Sequence, residues 1–208
     1  MKILIMVLMV GLIGCEAEVI EAVEAVEAVE AVEAVEAVEA DNTYILAGQS
    51  NAIRCWWPHF SGITGASIVE IAISGRPIDV LISSYNPDSV KGSNAAGILF
   101  VHGETDGQIR TDVDYYVAQV ERYRVMISYD VGRDLPLYIS SVGYFDGVPD
   151  EDMDRIREAV LEEAGRNPMW SIAYEDAMFF RDWGMLKDFV HFSAGGCELM
   201  MEGFASHI

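Results

Sequence analysis

The chain has 208 residues, enough for one sizeable hydrophobic core and short for two. Its make-up, 51% hydrophobic with 18 glycines and 6 prolines, suits a globular protein rather than a disordered or fibrous one. A formal charge of -21 at pH 7 argues against nucleic acid as a partner, because such a surface repels phosphate.

The N-terminus reads as an export signal. Lys2 supplies a positive start and Ile3 to Ile13 is apolar throughout apart from Gly11, too short for the roughly 17–25 residues of a spanning helix but suited to a signal core. The following "LIGC", Leu12 to Cys15, resembles a bacterial lipobox. That resemblance implies cleavage before Cys15 and a lipid on its thiol, so residues 1–15 are expected to be a signal and attachment to be through lipid. Ordinary secretion or an uncleaved anchor, with Cys15 incidental, is the alternative. Glu16 leaves the choice of membrane open.

Residues 16–40 carry nine glutamates, and from Glu21 they follow a strict Glu-Ala-Val triplet. A period of three matches neither the strand nor the helix, so no face stays apolar. Glutamates three apart repel one another on a helix. This stretch reads as a solvated acidic tether to a domain over 41–208, which holds 25 acids and 12 bases.

Within that domain five apolar runs read as strands: Tyr44–Gln49, Ser67–Ser74, Gly97–Gly103, Leu135–Val142 and Met169–Tyr174. Continuous apolar character marks strands buried on both faces. Helices are expected over Asn51–Trp57, Thr111–Tyr129, Asp150–Gly165 and Ala194–Ala205. The third is the clearest, with Pro149, an acidic first turn, and Met153, Ile156, Val160 and Leu161 on one face. Alternating strands and helices predict an α/β fold, a three-layer α/β/α sandwich with a parallel sheet of about five strands, flavodoxin-like. In such sheets reactive groups gather beyond the carboxyl ends of the strands, where Ser50, Gly75 and Glu104 fall.

Ser50 lies in the stretch "TYILAGQSNA", Thr43 to Ala52, where a strand meets a helix. It can cap the helix, or it can be a nucleophile, in which case it needs a base and a group that orients the base. In "KDFVHFSAGG" Asp188 precedes His191 by three residues, close enough to reach its Nδ1 within one turn and leave Nε2 free. Cys55 and Cys197 form an even pair in an exported chain; a disulfide and two separate buried thiols are both open.

Four motifs occur in order at expected strand ends: "GQSN" (Gly48–Asn51), "SGRPI" (Ser74–Ile78), "HGETD" (His102–Asp106) and "DFVHFS" (Asp188–Ser193). In these the sequence resembles the SGNH hydrolase superfamily, in particular its branch of sialate O-acetylesterases and carbohydrate esterase family 6 acetylxylan esterases. The resemblance covers most of residues 43–206 and implies Ser50 as nucleophile, His191 as base and Asp188 as its orienting acid. It implies an oxyanion hole from the backbone N–H groups of Ser50 and Gly75, with Thr105 standing where many members have an asparagine donor. Gln49, His102 and Glu104 are the expected substrate-binding neighbours, although His102 replaces the usual glutamine and packing is its other reading. Glu104 likewise reads as a brace for the turn. "His-Gly-Glu" also fits part of a zinc deaminase pattern, but no Pro-Cys-x-x-Cys follows it.

The implied activity is hydrolysis of O-acetyl esters on carbohydrate such as sialic acid or xylan, through an acyl-serine, without metal or cofactor. The alternatives are an esterase or lipase acting on a non-carbohydrate ester and an inactive glycan-binding surface lipoprotein. Trp56, Trp57 and Phe60 are candidates for stacking on a sugar or for the core. The 25 residues from Ser50 to Gly75 leave little room for a large binding loop, so a shallow, open site is expected. Nothing in the sequence fixes the oligomeric state.

Overall fold

The five apolar runs form one parallel sheet: β1 (Thr43–Gly48), β2 (Ser67–Glu70), β3 (Gly97–Val101), β4 (Leu137–Ser140) and β5 (Trp170–Tyr174). A computed structural model describes residues 42–208 apart from Trp56; the signal, the lipobox-like Cys15 and the acidic repeat lie outside the described residues, as does Trp56. Strand order is β2-β1-β3-β4-β5, so the winding direction reverses between β1 and β3. That reversal opens a crevice at the carboxyl ends of these two strands. The regular part of β2 stops at Glu70, but the N–H groups of Ile71 and Ile73 still bond the carbonyls of Leu46 and Gly48 at 2.9 Å. The longer run read from the sequence therefore tracks β1 as extended chain.

Among the described residues seven α-helices accompany the sheet: α1 (Ser50–Arg54), α2 (Trp57–Thr64), α3 (Ile78–Ser84), α4 (Glu104–Gln108), α5 (Val113–Val131), α6 (Asp150–Arg166) and α7 (Ala194–Ala205). Alternation along the strands sorts the two faces. Ile45, Ala47, Ile98, Phe100, Leu137 and Ile139 pack towards α3, α5 and α6. Tyr44, Leu46, Leu99 and Val101 pack towards α2 and α7. The result is the three-layer sandwich expected from the sequence. Each buried aliphatic side chain contributes about 1.5–3 kcal/mol relative to exposure, which makes the two-sided central strands the main source of cohesion.

The helices show where local pattern gives way to context. The expected Asn51–Trp57 helix stops at Arg54, because Cys55 is extended (φ -74, ψ 143) and bonded to Cys197, and a helix that the sequence did not announce, Trp57–Thr64, follows it. The Trp57 indole N–H meanwhile donates back to the Ala52 carbonyl. The disulfide, with Cα atoms 5.2 Å apart, joins the end of α1 to α7 across 142 residues of sequence. Helix α3 follows Pro77 and buries Ile78, Leu81 and Ile82 at helical spacing, although its β-branched residues favour a strand locally. In α6, Met153, Ile156 and Val160 are buried as expected, but Leu161 is exposed at the edge of the stripe. Trp57 and Phe60 are buried in the layer with α7, so they belong to the core and present no ring to a sugar.

Candidate active site

The turn after β1 has to be tight because β3 lies against it. Gly48 has φ +131, and a Cβ there would stand 2.0 Å from the Val101 carbonyl oxygen. Only glycine lets the chain pass so close to its neighbour. The Gln49 N–H then bonds that same carbonyl at 2.9 Å, and α1 begins at Ser50. Gln49 occupies the capping position and makes no side-chain cap, so the capping explanation for Ser50 does not apply.

A buried carboxylate holds this turn from below. Glu104, at the start of α4, accepts hydrogen bonds from Gln49 Nε2 and from Asn51 Nδ2, the latter at 2.7 Å. The two neighbours of Ser50 are thus fastened to one acid on the next strand's loop. Burial pushes the Glu104 carboxyl up, against the pull of the two amide donors and of Arg157. Gln49 and Glu104, expected as substrate-binding neighbours, are buried at 2% and 1% exposure, and their mutual hydrogen bond supports the turn.

The loop that carries Asp188 and His191 is built by local bonds. Leu186 and Phe192 form an antiparallel bridge, and the Lys187 N–H donates to the His191 carbonyl at 2.8 Å, closing a short loop. Within it Asp188 Oδ1 accepts from the N–H groups of Val190 (3.1 Å) and His191 (2.9 Å). Both Asp188 oxygens lie 2.8–2.9 Å from His191 Nδ1. The backbone N–H of His191, and then its ring, hold the Asp188 carboxyl well below the usual carboxylate range. An ionised acid at Nδ1 fixes the proton there and leaves Nε2 as the acceptor.

Asn51 joins the two halves. Its Nδ2 also donates to the Val190 carbonyl (3.2 Å), and its Oδ1 accepts from the Phe192 N–H (3.0 Å). One side chain, next in sequence to Ser50, thereby grips the backbone on both sides of His191. Among the described residues neither the Ser50 hydroxyl nor His191 Nε2 has a hydrogen-bond partner, so the last contact of the relay is open. Such contacts commonly close only with substrate bound.

The expected oxyanion donors lie on the neighbouring loops. Gly75 sits in an exposed turn beyond β2, and Thr105 is the one partly exposed residue in the first turn of α4. Two residues of "HGETD" hold the Gly75 loop in place. His102 lies 3.0 Å through Nε2 from the Arg76 carbonyl and 3.1 Å through Nδ1 from the Tyr116 hydroxyl. Asp106 accepts from the Ile78 N–H (3.1 Å) and the Thr111 hydroxyl (2.9 Å). His102 is also stacked between Phe100 and Tyr116. It is buried, and burial lowers its pKa to about 4, so it is neutral near pH 7 and its Nε2–H is the donor to Arg76. Of the two readings of His102, its burial, stacking and hydrogen bonds fit packing and support of the loop. The same desolvation raises Asp106 to about 6.

Asn51 and Asp106 are the positioning residues that the sequence reading left without a role. Both stood inside quoted motifs; what was missing was knowledge of which distant backbone groups lay within their reach. No group of metal-ligating side chains is found among the described residues.

No family model and no curated protein matches the chain. Solved structures do. A protein described as a platelet activating factor from Streptococcus pneumonia aligns with a TM-score of 0.65 at 16% identity, over 83% of this chain and 86% of its own. A GDSL-like lipase from Bacteroides thetaiotaomicron gives 0.60 at 15%, over 82% and 89%. The C-terminal catalytic domain of a Streptococcus pneumoniae peptidoglycan O-acetyltransferase gives 0.54 at 16%, over 79% and 91%. At these identities the likeness is one of fold: the chain has the architecture of the SGNH, or GDSL, hydrolases.

Proposed function

We propose that the domain is a serine esterase that removes O-acetyl groups from carbohydrate. The observation that carries this reading is the Asp188–His191 pair clamped by Asn51 beside Ser50. In the first half-reaction Ser50 Oγ attacks the acetyl carbonyl while His191 Nε2 takes its proton. The amides of Ser50 and Gly75, with the Thr105 hydroxyl, receive the oxyanion; each such donor is worth roughly 3 kcal/mol in the transition state. The C–O bond to the sugar then breaks, and His191 returns the proton to the departing sugar oxygen. In the second half-reaction water adds to the acetyl-serine by the same proton path and releases acetate, restoring the serine.

Two observations support an acetylated sugar over a lipid. One fold neighbour is named a peptidoglycan O-acetyltransferase, and acetyl transfer to a sugar shares the acyl-serine chemistry. Phe189, 53% exposed, stands beside the His191 ring at 6.3 Å between centroids, where an aromatic face suits a sugar ring. Other fold neighbours are named lipases, so a non-carbohydrate ester is the second reading. The signal and "LIGC" motif support an exported, lipid-anchored protein that meets acetylated glycan outside the cell.

The test is acetate release from acetylated xylan, sialic acid and cell-wall glycan, with 4-nitrophenyl esters of increasing chain length alongside. Wild-type protein is expected to release acetate, and Ser50→Ala to lose about a thousandfold or more in kcat. A preference for long acyl chains would move the assignment to lipid esters. If a serine-directed fluorophosphonate fails to label Ser50, an inactive glycan-binding module becomes the better account.

A further inference from the structure

A cavity of about 470 Å³ opens beside the acid–base loop, bordered by His191 and, from α1, by Arg54. Arg54 is four residues from Ser50, so both lie on the same face of that helix one turn apart. Lys187, next to Asp188, forms another part of the rim, while Phe192, Met201 and the disulfide sulfur-bearing Cys197 supply an apolar floor.

The two cations are unusual in this domain. Acids outnumber bases about two to one over 41–208, and six of the twelve basic residues there are ion-paired with carboxylates. Arg122 and Arg133 bond protein carbonyl oxygens. Among the described residues this leaves Arg54, Arg76, Lys91 and Lys187 without an ion pair or side-chain hydrogen bond. Two of these four, Arg54 four residues after Ser50 and Lys187 directly before Asp188, border this one cavity. Glu198 also borders the cavity, but no ion pair joins it to either cation. Where carboxylates are plentiful, cations left uncommitted around one cleft form a local positive field inside a negative surface. A guanidinium fork and an ammonium together match the oxygens of a carboxylate or phosphate.

Building on the esterase reading, we propose that the substrate is an acidic sugar ester whose anionic group, carboxylate or phosphate, seats in this cavity on Arg54 and Lys187. The acetyl group then faces Ser50, and the sugar's apolar face lies on the cavity floor. The neutral acetylated xylan backbone lacks the group that this site accepts.

The test uses three randomly monoacetylated probes: methyl glucoside, the glucuronide that differs only in its carboxylate, and the glucoside phosphorylated at its primary hydroxyl. Wild-type protein is expected to favour an anionic probe over the neutral one by about tenfold in kcat/KM, mainly through KM. High salt should erase that preference by screening. The double variant Arg54→Gln/Lys187→Gln should bring the ratio close to one; because both residues are exposed, its melting temperature should stay near wild type. The larger of the two anionic ratios identifies which oxyanion the site takes. Equal turnover of all three probes by wild type, or a preference that survives both substitutions, overturns the anion site alone. Activity on 4-nitrophenyl acetate with none on any sugar overturns the sugar-ester reading and this site together. Inactivity on everything overturns the esterase reading itself.

Discussion

The two halves of the candidate site are held by opposite means. The Ser50 turn rests on a buried network, in which Glu104 takes amide hydrogens from both neighbours of Ser50 across more than fifty residues of sequence. The Asp188–His191 loop is partly exposed and ties itself together within three residues, through Asp188 and the N–H groups that follow it. On the proposed esterase reading, position is set where solvent is excluded, and proton transfer falls where solvent can enter. A buried brace costs stability when it is lost, whereas an exposed relay costs rate. Asn51 belongs to both halves, and substitutions on either side of it separate the two kinds of loss.

The largest effect should come from the relay. Asp188→Asn keeps an oxygen for the backbone N–H groups of Val190 and His191 but presents an amide to His191 Nδ1. The ring then carries its proton on Nε2 and cannot accept one from Ser50, so kcat should fall by about 10⁴-fold. Melting temperature should barely move, since the loop's backbone bonds persist. A fall of many degrees would mean that the loop is a structural support and would undo the contrast.

Glu104→Ala should do the reverse in stability while also harming rate. It strands the Gln49 and Asn51 amides in a buried site and leaves a void, a combined cost of about 3–5 kcal/mol. Thermal unfolding should fall by on the order of 10 °C, and activity should drop because Ser50 is no longer held. Unchanged melting would show that the carboxylate contributes nothing to the turn.

The same contrast explains what the sequence disclosed. Asp188 and His191 were legible as a pair because three residues of spacing nearly determine their contact. The central strands β1, β3 and β4 were legible because two-sided burial leaves uninterrupted apolar runs. Helices α2, α3 and α4 were not, being only five to eight residues long and too short to show a clear helical repeat. The burial of Gln49, His102 and Glu104 was not legible for a related reason: a motif shows that residues sit near a strand end, not which side of the turn they face. Burial decides that, and burial depends on residues far away in the chain. Cys55 and Cys197 were legible as an even count, while their bond required knowing that α1 and α7 are neighbours.

The smallest effect tests whether the buried side also senses acid. His102 titrates near 4 in the fold against an ordinary 6.5, so its contribution to stability is whole above pH 6.5 and is lost as pH falls towards about 4. Asp106, raised from 3.8 to about 6, acts in the opposite sense: its contribution is present below 3.8 and lost as pH rises to about 6, and Glu104 is shifted in the same direction. On acidification His102 therefore acts alone just below pH 6.5, after which the acids offset it. Wild-type protein should lose about 1 kcal/mol or less by pH 6 and then level off. His102→Gln can still donate to the Arg76 carbonyl and accept from the Tyr116 hydroxyl, but it has no proton to gain. Its melting temperature should rise, not level, as pH drops from 6 towards 4. A variant that tracks wild type through this range would show that the acid response arises outside the loop support, and that the buried side is insensitive to pH at His102.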